Sequence, residues 1–235
     1  MTALRSLAFN VWFFGMTLVL ALYGTALAPF RGEPMARALT RRWARLVVGG
    51  LRVLCNIRLE VRGLELLSAE GPALLASHHE SAFDTIVWLM LLPRCTYVMK
   101  HELRQLPLFG PLTRVAGHIA VDRTGGAAAL RTLARETERA VGAGRQIVIF
   151  PEGTRTAPGQ TVPVQPGVVA IAARAGVPVI PVATDSGRHW GRRAFYKRPG
   201  TIHIHLLAPI PAHTPRAELV RRLEAAFAAP LEDCG

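Results

Sequence analysis

The chain opens with a long apolar run. Residues 6–30 contain no charged side chain, and as a helix they would extend about 37 Å, enough to cross a bilayer core of about 30 Å. From Met35 to Leu54, apolar residues recur every three or four positions while arginines occupy much of the remainder, which predicts a basic amphipathic helix. Gly24 and Pro29 leave open a hairpin that enters the membrane and returns. The pattern predicts an N-terminal membrane-embedded helix or helical hairpin.

The residues around this run distinguish a retained anchor from a cleaved signal. Arg5, the apolar run and Ala26-Leu27-Ala28 resemble a secretory signal with its cleavage site. The run is longer than a usual signal core, however, and clusters of basic residues of the kind that follows it stay on the cytoplasmic side. This cluster consists of Arg31, Arg37, Arg41, Arg42, Arg45 and Arg52. We therefore expect a retained anchor in the cell inner (cytoplasmic) membrane, with the rest of the chain on the cytoplasmic side.

Two interpretations of the basic helix remain open. It lies on anionic lipid beside the anchor, or it is an ordinary domain helix whose basic face is in solvent.

After Leu54 the pattern changes to short apolar strands that alternate with helical segments, which predicts an α/β fold with a largely parallel sheet flanked by helices. The predicted strands are Ile57–Arg62, Ala73–Ser77, Thr96–Met99, His118–Val121, Gln146–Phe150, Pro178–Thr184 and Thr201–Leu207. The predicted helices are Ser81–Leu91, Gly126–Ala143, Val168–Ala175 and Pro215–Ala228. We divide the chain into an anchor region with its basic helix, 1–55, and an α/β domain, 56–235.

Composition narrows the function classes. The 235 residues are 50% hydrophobic with a net charge of +12, which excludes a disordered chain, and a single apolar run of spanning length argues against a polytopic transporter. The positive charge suggests an anionic partner: nucleic acid, a phosphate-bearing substrate or an anionic membrane surface. Cys55, Cys95 and Cys234 are widely spaced, so they indicate neither a disulfide framework nor a zinc site.

The first candidate site follows the predicted strand Ala73–Ser77. His78 and His79 stand at its end, and Asp84 follows five residues after His79. His79 and Asp84 can meet if His79 lies in the strand-to-helix turn and Asp84 in the first helical turn. A carboxylate in that position would hold the imidazole in one tautomer, so that its other nitrogen acts as a general base. The alternative is structural: Ser81 caps the helix and Asp84 completes a capping box.

The second candidate site is Phe150-Pro151-Glu152-Gly153-Thr154-Arg155, directly after a buried strand. Ligand sites in α/β proteins lie at the carboxyl ends of strands. Gly153 permits close backbone approach, and Arg155 offers a fork suited to phosphate. The alternative is a structural turn with one solvent-facing arginine. Two further blocks are Gly117-His118-Ile119-Ala120-Val121-Asp122-Arg123 and Val177-Pro178-Val179-Ile180-Pro181-Val182.

In order and spacing, these four blocks resemble those of the 1-acylglycerol-3-phosphate acyltransferase family of glycerolipid acyltransferases. That family carries N-H-x4-D, a G-x-x-x-x-D-R-like block, F-P-E-G-T-R and a V-P-[IV]-[IV]-P-V strand. The resemblance covers roughly residues 55–210, and F-P-E-G-T-R matches in full. It implies that 56–235 is an acyltransferase domain tethered by N-terminal membrane-embedded helices.

The resemblance also implies the chemistry. An acyl group passes from acyl-CoA or acyl-carrier protein, a co-substrate rather than a resident cofactor, to the free hydroxyl of a lysophospholipid. With 1-acylglycerol-3-phosphate as acceptor the product is phosphatidic acid. His79 would remove the hydroxyl proton and Asp84 would orient the imidazole. The residues that would bind substrate are Glu152, Gly153, Thr154, Arg155, Arg123 and Lys100. Of these, Arg155 and Arg123 would bind the acceptor phosphate, and Lys100 would contact the phosphate or the thioester.

Two departures from the family pattern affect this assignment. His78 stands where the family usually has Asn, and the spacing to Asp84 selects His79 as the base. Residues 164–167 read Val-Gln-Pro-Gly where relatives often have a lysine, which leaves room for another lysolipid acceptor such as a lyso-ornithine lipid. A non-catalytic basic membrane-binding protein is the alternative from another class.

Other partners and ligands have weak support. His203 and His205 would share one face of a strand, but no carboxylate or cysteine stands near them in the sequence, so we expect no metal site. No nucleotide-binding glycine motif, RNP-like strand or DNA-reading helix is present, so we expect no nucleic-acid partner. The sequence leaves the oligomeric state open.

Overall fold

A computed structural model describes residues 1–67, 71–122, 124–160, 162–229 and 231. The helices are α1 (Thr2–Cys55), α2 (Asp84–Leu91), α3 (Phe109–Val115), α4 (Gly126–Gly142), α5 (Pro166–Ala175), α6 (Ser186–His189) and α7 (Arg216–Ala228). The strands are β1 (Ile57–Arg62), β2 (Ala73–Ser77), β3 (Cys95–Lys100), β4 (Ile119–Val121), β5 (Gln146–Ile149), β6 (Val179–Thr184) and β7 (Gly200–Leu206). Short 3-10 helices occupy Leu64–Leu66 and His101–Gln105.

The described residues form one seven-stranded sheet in the order β1-β7-β6-β2-β5-β3-β4. Its neighbouring strands are parallel except β6 and β7, which are antiparallel. The predicted α/β class with a largely parallel sheet is thus confirmed. Strand β2 lies between β5 and β6, so the carboxyl ends of these three strands meet at one edge of the sheet.

The seven predicted strands are present, with ends that differ by at most one residue. Helix α2 begins at Asp84, three residues after the predicted start, because its approach is a tight turn: the Thr85 and Ile86 amides donate to carbonyls three residues back. Helix α5 begins at Pro166, two residues before its predicted start. The short helices α3 and α6 were not predicted.

Helix α1 is a hairpin of two antiparallel arms. Gly32 has non-helical dihedral angles (φ 61°, ψ −160°) and separates them, which a glycine tolerates because it lacks Cβ. The Trp43 indole donates to the Thr17 hydroxyl at 2.9 Å, and a Cβ added at Gly50 would lie 2.2 Å from the Trp12 ring. The hairpin is therefore the correct choice of the two predicted forms.

The hairpin packs against one face of the sheet together with α2. Phe9 of the first arm and Val47 and Leu51 of the second belong to the same buried cluster as Trp88 of α2 and Ile202 of β7. A second cluster, on α4, α5 and α7, covers the other face. The apolar side of the second arm is therefore buried inside the protein while Arg42, Arg45 and Arg52 are exposed, an arrangement that is compatible with both interpretations of the basic helix.

The first arm has an apolar face that the rest of the described residues leaves exposed. Thr2–Leu27 is long and apolar enough to cross a membrane, with a mean hydropathy of 1.7, and only 11% of its most apolar window is buried. The exposed side chains recur every three or four positions and include Leu4, Leu7, Val11, Phe14, Leu18 and Leu22. The protein thus presents one continuous apolar stripe to its surroundings.

The close contact between the arms gives a test of the hairpin. Gly50→Ala would place a methyl group against the Trp12 ring, and we expect it to lower the free energy of unfolding by about 1–3 kcal/mol. Gly49→Ala is the matched control: a Cβ there meets nothing within 4 Å, and it should stabilise the helix by up to about 1 kcal/mol. Thermal unfolding in detergent measures both. Equal shifts for the two variants would contradict this packing.

Candidate active site

His79 and Asp84 meet at the carboxyl end of β2. His79 Nδ1 donates to Asp84 Oδ2 at 3.1 Å, and both residues are buried. His79 lies in the turn after β2 and Asp84 is the first residue of α2, as the spacing predicts. The carboxylate fixes Nδ1 as the protonated nitrogen and leaves Nε2 as the acceptor, the tautomer that a general base needs.

The Asp84 carboxylate also organises the turn itself. Its Oδ2 accepts hydrogen bonds from the backbone amides of Glu80 at 2.8 Å and Ser81 at 2.7 Å. The Ser81 hydroxyl accepts from the Phe83 amide at 3.1 Å, but the N-cap of α2 is Phe83, with no side-chain capping bond, so the predicted capping box with Ser81 as the cap is not formed. The Asp84 carboxylate instead holds the backbone of the turn and the His79 ring at the same time.

Ser186 also contacts the Asp84 carboxylate, and the sequence did not predict this contact. Its hydroxyl donates to Asp84 Oδ1 at 2.5 Å, and the residue is fully buried. The preceding Asp185 accepts from the His203 amide at 2.7 Å and contacts His203 Nδ1 at 2.9 Å. The sequence feature that could have pointed to Asp185 and Ser186 as site residues is their position directly after β6, at the carboxyl end of a buried strand.

The turn after β5 contacts the His79 backbone through Glu152. Glu152 Oε1 accepts from the His79 amide at 3.3 Å, while Oε2 is buried with no hydrogen-bond partner among the described residues. Burial raises the pKa of Glu152 to about 7. Burial likewise raises the pKa of Glu80 to about 7, although this carboxyl accepts a hydrogen bond from the Gly187 amide. Both carboxyls therefore hold their protons up to near-neutral pH, which limits the negative charge around Asp84.

The two adjacent histidines have different surroundings. His78 Nε2 lies 3.0 Å from the Thr156 hydroxyl and 3.5 Å from Glu152 Oε1, and its ring stacks on Phe227. Burial lowers the pKa of His78. The His79 ring instead stacks on Phe150, with ring centroids 4.1 Å apart. His78 thus ties β2 to the turn after β5, and only His79 is hydrogen-bonded to Asp84.

Comparison with known proteins decides the family. A family model described as Acyltransferase matches residues 58–185, more than half of the chain. The chain belongs to this acyltransferase family. A 1-acyl-sn-glycerol-3-phosphate acyltransferase of Pseudomonas aeruginosa is 35% identical over 210 residues, which cover 88% of this chain and 80% of that protein. The mouse 1-acyl-sn-glycerol-3-phosphate acyltransferase alpha is 27% identical over 199 residues, covering 83% and 69% respectively.

A solved structure has the same fold. It is the 1-acyl-sn-glycerophosphate acyltransferase PlsC of Thermotoga maritima, with a TM-score of 0.75 and 21% sequence identity. The alignment covers 97% of this chain and 95% of that one, so the likeness includes the α1 hairpin as well as the sheet.

The other predicted site residues in the turn after β5 are Gly153, Thr154 and Arg155. Gly153 has a φ of +67° in the turn after β5, which its lack of a Cβ permits. Thr154 is exposed and Arg155 is half-buried. Burial lowers the pKa of Arg155, and the positive charges of Arg192 and Arg193 lower it further, while the negative charge of Asp84 raises it. Arg155 thus lies in a locally positive environment, with Asp84 as an opposing charge.

Lys100 lies apart from His79 in the sheet. It is exposed at the carboxyl end of β3, which β5 separates from β2, so it lies at the same edge of the sheet as the carboxyl end of β2. Arg123 lies outside the described residues, and its role stays a prediction. His203, paired with Asp185, has a carboxylate partner that the sequence did not reveal. No group of three potential metal ligands occurs in the described part of the chain.

Ser186 can be tested as a positioning residue. Ser186→Ala removes one donor to the Asp84 carboxylate, and hydrogen bonds to charged groups contribute about 1.5–3 kcal/mol. We therefore expect kcat to fall about tenfold or more, because each 1.4 kcal/mol is a factor of ten, with little change in KM. Ser186→Thr keeps the hydroxyl and should retain most of the rate. Steady-state kinetics with thermal unfolding as a folding control measures this, and equal rates for the alanine variant and the parent would contradict the role.

Proposed function

We propose that this acyltransferase transfers a fatty acyl group from acyl-CoA or acyl-carrier protein to the free hydroxyl of 1-acylglycerol-3-phosphate, giving phosphatidic acid. The observation that carries the proposal is the buried hydrogen bond from His79 to Asp84 beside an intact F-P-E-G-T-R turn. The names of the relatives support the acceptor, since those from Pseudomonas aeruginosa and mouse are 1-acyl-sn-glycerol-3-phosphate acyltransferases. A non-catalytic binding protein would need neither feature.

The chemical step uses the acceptor alcohol as the nucleophile. His79 Nε2 takes the hydroxyl proton while the oxygen attacks the thioester carbonyl carbon. The new C–O bond forms a tetrahedral intermediate, whose collapse breaks the C–S bond, and the departing thiolate receives the proton from His79. Asp84 stabilises the imidazolium formed between these events. No acyl-enzyme intermediate is required, and no metal or resident cofactor enters the step.

The acceptor phosphate is the part of the substrate that Arg155 would bind. Arg155 lies at the end of the turn after β5 and interacts electrostatically with Asp84, Arg192 and Arg193, and a guanidinium fork matches phosphate oxygens in geometry and charge. Because the pKa values of Glu152 and Glu80 are raised to about 7, these carboxyls carry only part of their negative charge at neutral pH, which reduces repulsion of a phosphate anion. Arg123 and Lys100 are the other proposed contacts, the latter to phosphate or thioester.

The membrane is the proposed location of the enzyme. The exposed apolar stripe of α1 would enter the cytoplasmic face of the inner membrane, and the arginines of the second arm, including exposed Arg42, Arg45 and Arg52, would meet anionic lipid. Because the second arm lies beside the first along most of its length, crossing the bilayer would carry these charges into hydrocarbon. The hairpin therefore lies in one leaflet in this proposal.

The base is tested by replacing each histidine separately. His79→Ala should lower acyl transfer to 1-acylglycerol-3-phosphate about 10²- to 10⁴-fold, the usual contribution of a general base. His78→Asn introduces the residue that the family usually has at this position, and this variant should keep most of the activity. Labelled acyl-CoA or acyl-carrier protein with membranes that contain each variant gives the rates. Retained activity in His79→Ala, with loss in His78→Asn, would reverse the assignment.

The acceptor is tested through Arg155. Arg155→Ala should raise KM for 1-acylglycerol-3-phosphate about tenfold or more, the effect of losing a charged hydrogen bond, and should raise it much less for a lyso-ornithine lipid. The matched control is Arg131→Ala, which removes an exposed arginine from α4 on the opposite face of the sheet. Equal effects on both acceptors would mean that Arg155 does not bind the phosphate. Faster transfer to the lyso-ornithine lipid by the parent would favour the alternative acceptor.

A further inference from the structure

A closed loop between α6 and β7 has no part in the proposed chemistry. This loop consists of residues 190–197, and we refer to it as the 190–197 loop. Two hydrogen bonds close its base: the Arg198 amide donates to the His189 carbonyl at 2.9 Å, and the His189 Nδ1–H donates to the Arg198 carbonyl at 3.0 Å. The turn within it is fixed by the Ala194 amide, which donates to the Gly191 carbonyl at 3.1 Å.

A buried cation fills the interior of the loop. Lys197 is 2% exposed, and its ammonium donates to the carbonyls of Ala194 at 3.1 Å and Phe195 at 3.0 Å. The third donor bond goes to Asn10 Oδ1 at 2.9 Å, and the ammonium also lies 4.9 Å from the Trp190 ring centroid. Burying a lysine requires partners for its charge. These contacts give the 190–197 loop a defined shape.

The same contacts hold the loop against the first arm of α1. The Asn10 amide donates to the Phe195 carbonyl at 3.1 Å, so the backbone of Phe195 lies against that side of the helix. Leu7 and Phe14, about one helical turn to either side of Asn10, belong to the exposed apolar stripe. Phe195 and Tyr196 are themselves 47% and 55% exposed. The exposed aromatic pair therefore lies beside the first arm of α1, next to the apolar stripe.

Two exposed arginines adjoin the aromatic pair. Arg192 and Arg193 make no ion pair with an acidic side chain of the described residues. They lie close enough to Arg155 to disfavour its charge. Like charges gathered without an acidic partner create a positive potential that attracts an anion from outside the protein. Aromatic rings beside arginines are the side chains that occupy the headgroup level of a bilayer, where lipid phosphates supply that anion.

We propose that the 190–197 loop docks on an anionic phospholipid bilayer, with Phe195 and Tyr196 at headgroup level and Arg192 and Arg193 on lipid phosphates. The inference rests on the proposed membrane association of α1 and adds a second contact, next to the active site. A bilayer fits this surface better than an acidic carrier protein, because the aromatic pair is continuous with the apolar stripe. A lipid acceptor that leaves the bilayer here would pass its phosphate from Arg192 and Arg193 to Arg155.

The test measures where the loop lies in vesicles. The full chain carries Cys234→Ser, and the buried Cys55 and Cys95 remain. A fluorophore is attached to Tyr196→Cys, to Phe14→Cys on the apolar stripe, or to Arg131→Cys on α4. Each protein is reconstituted into phosphatidylcholine vesicles with or without phosphatidylglycerol, and quenching by a nitroxide-labelled lipid is compared with quenching by aqueous iodide.

We expect the nitroxide lipid to quench positions 196 and 14 strongly and position 131 weakly, with iodide giving the reverse order. If position 14 is quenched by lipid and position 196 behaves like 131, the loop proposal fails while membrane association stands. If position 14 also behaves like 131, membrane association fails and the loop proposal fails with it. A change at position 196 only on adding acyl-carrier protein would assign the surface to that protein and overturn the proposal.

The arginines are tested in the protein labelled at position 196. Arg192→Gln with Arg193→Gln should lower the ratio of docked to free loop in phosphatidylglycerol vesicles by about fivefold for each arginine. Arg131→Gln with Arg135→Gln, on exposed arginines of α4, is the control and should leave the ratio unchanged. Equal quenching in the parent and the first variant would overturn the contact with lipid phosphate.

Discussion

The Asp84 carboxylate is the point on which the site depends. Among the described residues it accepts hydrogen bonds from His79 Nδ1, two backbone amides of the turn after β2 and the Ser186 hydroxyl. A buried carboxylate is stable only when donors replace its lost hydration. The turn adopts the shape that supplies these donors, and the same shape fixes the tautomer and position of His79. The hydrogen bonds that shape this turn are therefore the same ones that position His79.

This constraint extends across the sheet through Ser186. Asp185 is held by His203 of β7, and β7 is the neighbour of β6 that runs in the opposite direction. The far strands of the sheet therefore help to set the position of Ser186, and through it the position of Asp84. On the opposite side, the hairpin packs on α2, whose first residue is Asp84. A change in either layer can therefore reach His79 through the Asp84 carboxylate.

Local pattern was sufficient to predict the strands and the contact between His79 and Asp84. Buried strands such as β2 and β6 are continuous apolar runs between helices, and the five-residue spacing of His79 and Asp84 fits one strand-to-helix turn. Ser186 could not be found in this way, since 102 residues separate it from Asp84 and no local pattern connects them. The same is true of His203, whose partner Asp185 is 18 residues away in sequence. The hairpin was one of two predicted forms, and only tertiary contacts such as Trp43 with Thr17 select it.

The hairpin also fixes how the active site can face a membrane. Its buried side packs on α2 and the sheet, and its apolar stripe lies on the other side of the first arm. The stripe cannot move deeper into lipid alone, because the basic second arm is packed beside it and Arg145 holds Glu33, next to the break at Gly32, at 2.9 Å. If α1 lies in one leaflet as proposed, the distance from the bilayer surface to His79 is set by packing within the protein. The proposed lipid acceptor would then have to rise by a fixed amount to reach His79, and the positive charge of Arg155, Arg192 and Arg193 would attract its phosphate.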